Sequence, residues 1–201
     1  MYRIPKHIGI IPDGNRRWAT QHGLNKESGY EYGLPPGLRL LRYARQKGVK
    51  ELTYYGFTVD NCKRPKEQVI AFADACLKAV KMIDNEGVCL RVVGNTTSPC
   101  FPAELLEYTV SKPCAEDVMK VNFLVNYGWE WDMKNNWASR EIPRIDMVIR
   151  WGGMRRLSGF LPLQTVYSDF YIVDDLWPEY KDEHLDEALE WYSHQDVTLG
   201  G

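Results

Sequence analysis

No apolar run in this chain approaches the roughly 20 residues that a membrane-spanning helix needs. The opening residues, Met1-Tyr2-Arg3-Ile4-Pro5-Lys6, hold no apolar signal core, so no export signal is expected. Basic charge is not in excess: 25 Lys and Arg stand against 27 Asp and Glu, a formal net charge of −2. Nucleic-acid binders carry a strongly basic face, so no nucleic acid is expected as a partner. Cysteine is sparse and unpatterned. The five (Cys62, Cys76, Cys89, Cys100, Cys114) are odd in number and lack CxxC spacing. That argues against a disulfide framework and against a zinc site. They read as reduced thiols of a cytoplasmic protein. No repeat, low-complexity tract or linker divides the chain, so residues 1–201 are expected to form a single domain.

What is present is ordinary in bulk, 44% apolar and 26% charged, as in soluble globular proteins. One stretch is not ordinary: His7-Ile8-Gly9-Ile10-Ile11-Pro12-Asp13-Gly14-Asn15-Arg16-Arg17-Trp18. Ile8 to Ile11 is short enough for a buried strand, and Pro12, which cannot donate to a ladder, ends it. Asp13-Gly14-Asn15 is a turn composition with a carboxylate in it. Asp13 can ligate Mg²⁺, which prefers oxygen. The turn N–H groups and the start of the next helix can hold phosphate oxygens, and Arg16 and Arg17 can fork onto them. An ordinary strand-to-helix turn with solvated charges would explain the composition equally well.

Alternating elements follow. Gly37 to Arg45 reads as an amphipathic helix, with Pro36 in its first turn and Gly48 past its end. Leu52 to Phe57 reads as a strand. A second helix starts at Arg64-Pro65-Lys66-Glu67, presents Val69, Phe72, Ala73, Cys76, Leu77 and Val80 on one face, and stops at Gly87. Further strands are expected at Val88–Val93, Val121–Val125, Ile145–Ile149 and Phe170–Val173. Pro102–Tyr108 and Gly159–Tyr167 are expected to be helical. So is Asp182–Trp191, with Leu185, Ala188, Leu189 and Tyr192 facing inward. Asp132 to Arg144, polar and irregular, is expected to be mobile. Such alternation predicts an α/β fold, a six-stranded mostly parallel sheet flanked by helices. Ligands bind beyond the carboxyl ends of such strands. That rule places Asp13, Thr58–Asn61, Asn126–Trp129 and Arg150–Arg156 on one rim.

The first stretch resembles the signature of the cis-prenyltransferase family, of the undecaprenyl diphosphate synthase type, which reads H-x-x-x-I-M-D-G-N-G-R-W-A. Pro12 stands for its Met and Arg16 for its second Gly. Three further stretches resemble the family in the same order. Phe57-Thr58-Val59-Asp60-Asn61-Cys62-Lys63-Arg64-Pro65 resembles F-S-x-E-N-W-x-R-P, with Cys62 for Trp and Asp60 for Glu. Ile149-Arg150-Trp151-Gly152-Gly153-Met154-Arg155-Arg156-Leu157-Ser158 resembles I-R-T-S-G-E-x-R-L-S, with Trp151 for Thr and Met154 for Glu. Gln164-x-x-Tyr167-Ser168-Asp169 and Leu176-Trp177-Pro178 resemble the last motif, with Asp169 for Glu. The tail Leu199-Gly200-Gly201 resembles R-F-G-G, with Thr198 for its Arg. Tyr30 replaces a His, and the chain between Gly128 and Asp146 is short, as if a family helix were missing or reduced.

The resemblance implies a Mg²⁺-dependent transferase with two substrates. An allylic diphosphate would sit on Gly14, Asn15, Arg16, Arg17, Trp18 and Lys26. Its tail would lie in an apolar tunnel lined by Val69, Phe72, Ala73, Cys76, Phe57 and Phe123. Isopentenyl diphosphate, or another acceptor, would sit on Thr58, Arg64, Arg150, Arg156 and Ser158. Asp13 and Asn61 would be catalytic, and Asp13 with Asp169 would hold Mg²⁺. Either Asn61 or the leaving diphosphate would take the proton. Pro12, Arg16, Tyr30, Trp151 and Met154 all depart from the pattern around the diphosphate sites. This is similar to an atypical branch that joins allylic units head-to-middle or uses other acceptors. Family habit implies a homodimer and, through a lipid product, peripheral membrane contact. A non-catalytic partner subunit of a heteromeric enzyme is the alternative. It is disfavoured because Asp13, Arg150, Arg156 and Ser158 are all kept. A phosphatase with Asp13 as nucleophile is disfavoured by Asn15 where a second acid would stand.

Overall fold

The computed structural model describes residues 3–196. Its six strands are His7–Ile11 (β1), Glu51–Thr58 (β2), Cys89–Val93 (β3), Lys120–Tyr127 (β4), Met147–Arg150 (β5) and Asp169–Ile172 (β6). They lie in the order β3-β4-β2-β1-β5-β6, and every pairing is parallel. Strands covered on both faces need not alternate. Accordingly all five residues of β1 and all four of β5 are buried.

Among the described residues six α-helices accompany the sheet: Asn15–Gln21 (α1), Gly29–Tyr32 (α2), Leu34–Gln46 (α3), Lys66–Asp84 (α4), Trp129–Lys134 (α5) and Asp182–Ser193 (α6). The short α1 and α2 occupy the polar stretch before Gly33, in which no apolar face announces a helix. The apolar stripe of α3 is buried at Leu40, Leu41 and Ala44, and that of α6 at Leu185, Ala188, Leu189 and Tyr192. With Cys76, Val80 and Ile83 of α4 they cover one face of the sheet. The opposite face is covered largely by irregular chain: Ile142, Ile145, Phe160 and Leu161 pack on Ile11, Tyr55, Leu124 and Val148.

Three expectations are corrected. Gly159–Tyr167 forms turns and no helix. Gly159 and Leu161 both take positive φ, 79° and 35°, and Pro162 disfavours helical geometry in the residue before it. Asp132–Arg144 is tied down through Asp132 and Ser139. Asp132 is 3% exposed, and its carboxylate accepts from the Tyr127 hydroxyl at 2.7 Å, the Ser139 amide at 2.8 Å and the Ser139 hydroxyl at 2.6 Å. The cysteines are not all thiols, because Cys89 and Cys114 form a disulfide with Cα atoms 6.0 Å apart. Their 25-residue separation carries no sequence signal. The pair forms because the chain returns beside the start of β3, where the Cys89 amide donates to the Met119 carbonyl.

Candidate active site

The carboxyl ends of the strands converge on one rim. At its centre β1 ends, and Pro12 and Asp13 carry the chain to Gly14, which caps α1 at φ 113°. A β-carbon at Gly14 would press on Leu176, 2.8 Å from its Cδ2. Trp177 fixes this turn from behind. Its amide donates to the Asp13 carbonyl at 3.0 Å, and its indole N–H donates to the Gly33 carbonyl at 2.8 Å. The amides of the first turn of α1 have no helical acceptor by geometry.

Arg150 ends β5 beside this turn, with its side chain 5% exposed. One Nη donates to Asp13 Oδ2 at 2.8 Å. The other donates to Ser158 Oγ at 2.9 Å and to the Arg156 carbonyl. Its Nε is buried without a partner. Arg17 lies on the other side of the same carboxylate, 3.4 Å from Oδ1, and is anchored by the Gly152 carbonyl at 2.9 Å. Gly152 takes φ 82°, and a β-carbon there would collide with the Arg17 guanidinium. Only glycine combines that backbone with that approach. Arg156 and Ser158 are exposed, and among the described residues no carboxylate lies within 4.0 Å of Arg156.

The second motif closes the rim. Thr58 and Asn61 form a reciprocal cap on the 3-10 turn Val59–Lys63. Asn61 Oδ1 accepts from the Thr58 amide at 3.0 Å, so its amide oxygen is engaged and its NH₂ is the remaining group. Arg64 donates to the Tyr30 hydroxyl at 2.9 Å and lies over the Phe72 ring at 5.5 Å. Burial lowers the Arg64 pKa, with Arg16 acting the same way and Tyr30 and Asp13 opposing. Burial raises that of Tyr30, against Arg64 and Arg16. Tyr30 also stacks on Phe72, centroids 4.4 Å apart. Arg16 reaches Gln68 Oε1 at 3.3 Å.

These groups line an open cavity of about 760 Å³ that takes in Asp13, Gly14, Asn15, Arg16, Arg17, Lys26, Thr58, Asn61, Arg64, Arg150, Arg156 and Ser158. Six cations thus face the carboxylates of Asp13 and Asp60. Beside it an apolar cavity of about 100 Å³ runs between α3, α4 and the sheet, lined by Leu38, Tyr54, Ala75, Cys76, Ala79, Met82, Ile83 and Phe123. Pro12, Asn15, Tyr30, Tyr55, Gly56 and Phe72 line both. The charged mouth and the apolar cavity therefore adjoin across these shared residues. Of the tunnel residues expected from sequence, Phe72, Cys76 and Phe123 line it, whereas Val69, Ala73 and Phe57 do not.

Other expected site residues lie elsewhere. Trp18 does not line the cavity; its ring stacks on His22 at 4.1 Å and packs on Tyr32 at 4.6 Å. Trp151 is wholly buried and packs edge-on against Trp177, so its departure from the pattern falls in the core. Asp169 opens β6, paired with Met147 at the amino end of β5. Arg150 stands at the other end of β5, and the nearest cation to Asp169 is Arg3 at 3.9 Å. Within this chain Asp169 does not join Asp13, since parallel strands start at the edge opposite the rim. The tail Thr198 to Gly201 lies outside the described residues. The sequence reading missed the bracing by Trp177 and by Tyr55, whose hydroxyl donates to the Ser158 carbonyl at 2.9 Å. The Leu176-Trp177-Pro178 motif was the signal for the first; nothing local marks the second.

Compared with known proteins, the chain matches the prenyltransferase family model described as undecaprenyl diphosphate synthase over residues 11–139 and 133–200. It is 30% identical to a ditrans,polycis-undecaprenyl-diphosphate synthase of Haemophilus influenzae, farnesyl-diphosphate specific, over 98% of this chain and 96% of that one. It is 32% identical to a tritrans,polycis-undecaprenyl-diphosphate synthase of Aeropyrum pernix, geranylgeranyl-diphosphate specific, over 98% of each. Among solved structures, lavandulyl diphosphate synthase from Lavandula x intermedia, in complex with dimethylallyl diphosphate, superposes with a TM-score of 0.82. It covers 98% of this chain and 99% of that one at 20% identity. The alignment with the Haemophilus protein runs to 234 positions, against 201 residues here. The family match itself breaks near 133–139, just after α5, where the chain looked short.

Proposed function

This chain belongs to the undecaprenyl diphosphate synthase family of prenyltransferases. From that premise we propose that it transfers the prenyl group of an allylic diphosphate, in the dimethylallyl to geranylgeranyl range, to isopentenyl diphosphate or another acceptor. Non-head-to-tail condensation is included. The observation that carries the reading is this adjacency, a mouth of six cations that shares six lining residues with an apolar cavity. Two diphosphates need the first and a prenyl tail the second. Each buried CH₂ of that tail contributes roughly 0.8 kcal/mol.

Arg16, Arg17 and Lys26, with the free amides at the start of α1, would hold the donor diphosphate. Arg150, Arg156 and Ser158 would hold the acceptor. Aimed donors of this kind are worth about 3–4 kcal/mol each where charge develops on the departing group. Asp13 would hold Mg²⁺. A single carboxylate beside phosphate oxygens and water suits that ion, and Asp13 meets the requirement without Asp169. When bound, the ion would neutralise charge on the leaving diphosphate. Asn61 presents a donor, because its oxygen is held by the Thr58 amide. The leaving diphosphate is therefore the better candidate for the base. Pro12, Arg16, Tyr30 and Met154, all departures from the pattern, line the mouth and are the reason to include non-standard acceptors.

A single catalytic domain, a homodimer and peripheral membrane contact complete the proposal; a cytoplasmic location is kept on the three free cysteines alone, since the Cys89–Cys114 disulfide counts against it. Trp129, Met133, Leu163, Val166 and Tyr167 are exposed on α5 and the turns after Gly159, an apolar surface a second copy could cover. Among the described residues no helix is long and apolar enough to cross a membrane.

The test is a product assay. Purified protein with Mg²⁺ receives labelled dimethylallyl, geranyl, farnesyl or geranylgeranyl diphosphate, with and without isopentenyl diphosphate, beside an Asp13→Ala control. A new prenyl product that depends on Asp13 is expected. No such product in any mixture would overturn the proposal. Growth only by five-carbon units that require isopentenyl diphosphate would remove the non-standard acceptor from it.

A further inference from the structure

Arg17 comes from α1 and Arg150 from the end of β5, so each belongs to a different half of the mouth. Both are held by one carboxylate, at 3.4 Å and 2.8 Å from the two oxygens of Asp13. Arg150 has little left to offer. One Nη is spent on Ser158 and the Arg156 carbonyl, and the other on Asp13. Its Nε is buried and unpartnered. Arg16 and Arg156 have no such anion among the described residues within 4.0 Å. Of the five arginines of the mouth, Arg17 and Arg150 share one carboxylate, Arg64 is held by the Tyr30 hydroxyl, and Arg16 and Arg156 are left open.

We infer that Asp13 is an internal anion that occupies Arg17 and Arg150 until a divalent cation takes its carboxylate. Cation and diphosphate binding then each promote the other. This rests on the reading of the mouth as a diphosphate site. An arriving diphosphate must compete with Asp13 for the Arg150 donor, and a buried guanidinium stripped of its partner is costly to leave bare. A cation on Asp13 removes the competitor. By linkage, diphosphate on the arginines must free the carboxylate for the cation to the same extent.

The test uses the full chain and single ligands, read by calorimetry. In EDTA, inorganic diphosphate is titrated into wild type, Asp13→Asn, Asp13→Ala and Asp13→Asn combined with Arg150→Gln. Mg²⁺ alone is titrated into wild type and Arg150→Gln. Asn keeps the shape of Asp13 and Ala removes it, so a shared effect reports the charge. Thermal melts confirm that each variant is folded. Both Asp13 variants are expected to bind diphosphate about tenfold tighter than wild type without metal. Arg150→Gln is expected to bind Mg²⁺ several-fold tighter. Unchanged or weaker diphosphate binding in the folded Asp13 variants overturns the inference, as does unchanged Mg²⁺ binding in Arg150→Gln. If, with the competitor removed, Asp13→Asn combined with Arg150→Gln binds diphosphate as tightly as Asp13→Asn alone, the diphosphate reading itself fails, and this inference with it.

Discussion

At the amino end of the sheet, polar side chains are buried in closed circuits. His7 places Nε2 2.8 Å from Thr53 Oγ1 and Nδ1 3.1 Å from the Arg144 carbonyl. Asn122 donates to Glu51 at 2.7 Å and to Thr53 at 3.0 Å. Asp146 accepts the Lys6 and His7 amides at 2.7 and 3.0 Å. At the carboxyl end the circuits stay open: Arg150 has an orphan Nε, and the exposed Arg156 has no carboxylate partner among the described residues. The same strands connect the two ends, so the contrast does not come from the fold class. Buried polar groups that satisfy one another make stability, whereas charged groups left wanting make a binding site.

If that contrast holds, variants at the two ends should fail differently. Arg150→Gln should have the largest effect, lowering kcat/KM in the prenyl-transfer assay by 10² to 10³-fold, about 3–4 kcal/mol, with far-UV circular dichroism retained. A loss under tenfold would break the comparison from the carboxyl side. Asn122→Leu should do the reverse. Urea unfolding should show a loss of about 2–3 kcal/mol from stranding Glu51 and Thr53, while kcat/KM stays within about twofold.

The amino end should also carry a pH signature. Burial lowers the pKa of His7, with Glu51, the Arg144 carbonyl and Asp146 opposing. The unfolded chain therefore binds the proton first. The contribution is complete above the ordinary histidine value of 6.5 and is lost as pH falls below it, by up to about 1.4 kcal/mol per pH unit. Urea midpoints of wild type and His7→Gln, compared from pH 7.5 to 5, should converge as pH falls. The smallest effect sharpens the boundary of the mouth. Tyr30→Phe keeps the stack on Phe72 and removes the hydroxyl that receives Arg64. It should raise KM for the acceptor about three- to tenfold, near 1 kcal/mol, and leave kcat close to wild type.

The strands were legible as short, largely apolar runs, three of them closed by a turn residue (Pro12 after β1, Gly94 after β3, Gly128 after β4), and β1 and β5 are buried throughout their length. The rim was legible because a parallel sheet dictates which strand ends face the ligand. What was hidden depended on direction and on distant neighbours. Trp151 follows Arg150 directly, yet one turns inward to Trp177 and the other to Asp13. Asp169 matched a motif, but the strand begins with it and so carries it to the wrong edge. Asp132 looked like solvated loop charge until Tyr127 and Ser139 enclosed it. No periodicity reports such partners, since they are supplied by chain that is distant or locally irregular.

Gly152 sits where the Arg17 guanidinium occupies the space a β-carbon would need, and the Asp13 carbonyl carbon is 3.3 Å away. Around Gly23 and Gly87 a β-carbon would meet nothing within 4 Å, although their φ is also positive. At the level of the gene, every missense change of the Gly152 codon installs that carbon between the two halves of the mouth. A saturation library should therefore be depleted of substitutions more strongly at codon 152, where both backbone and neighbours oppose a side chain, than at codons 23 and 87, where only the backbone does.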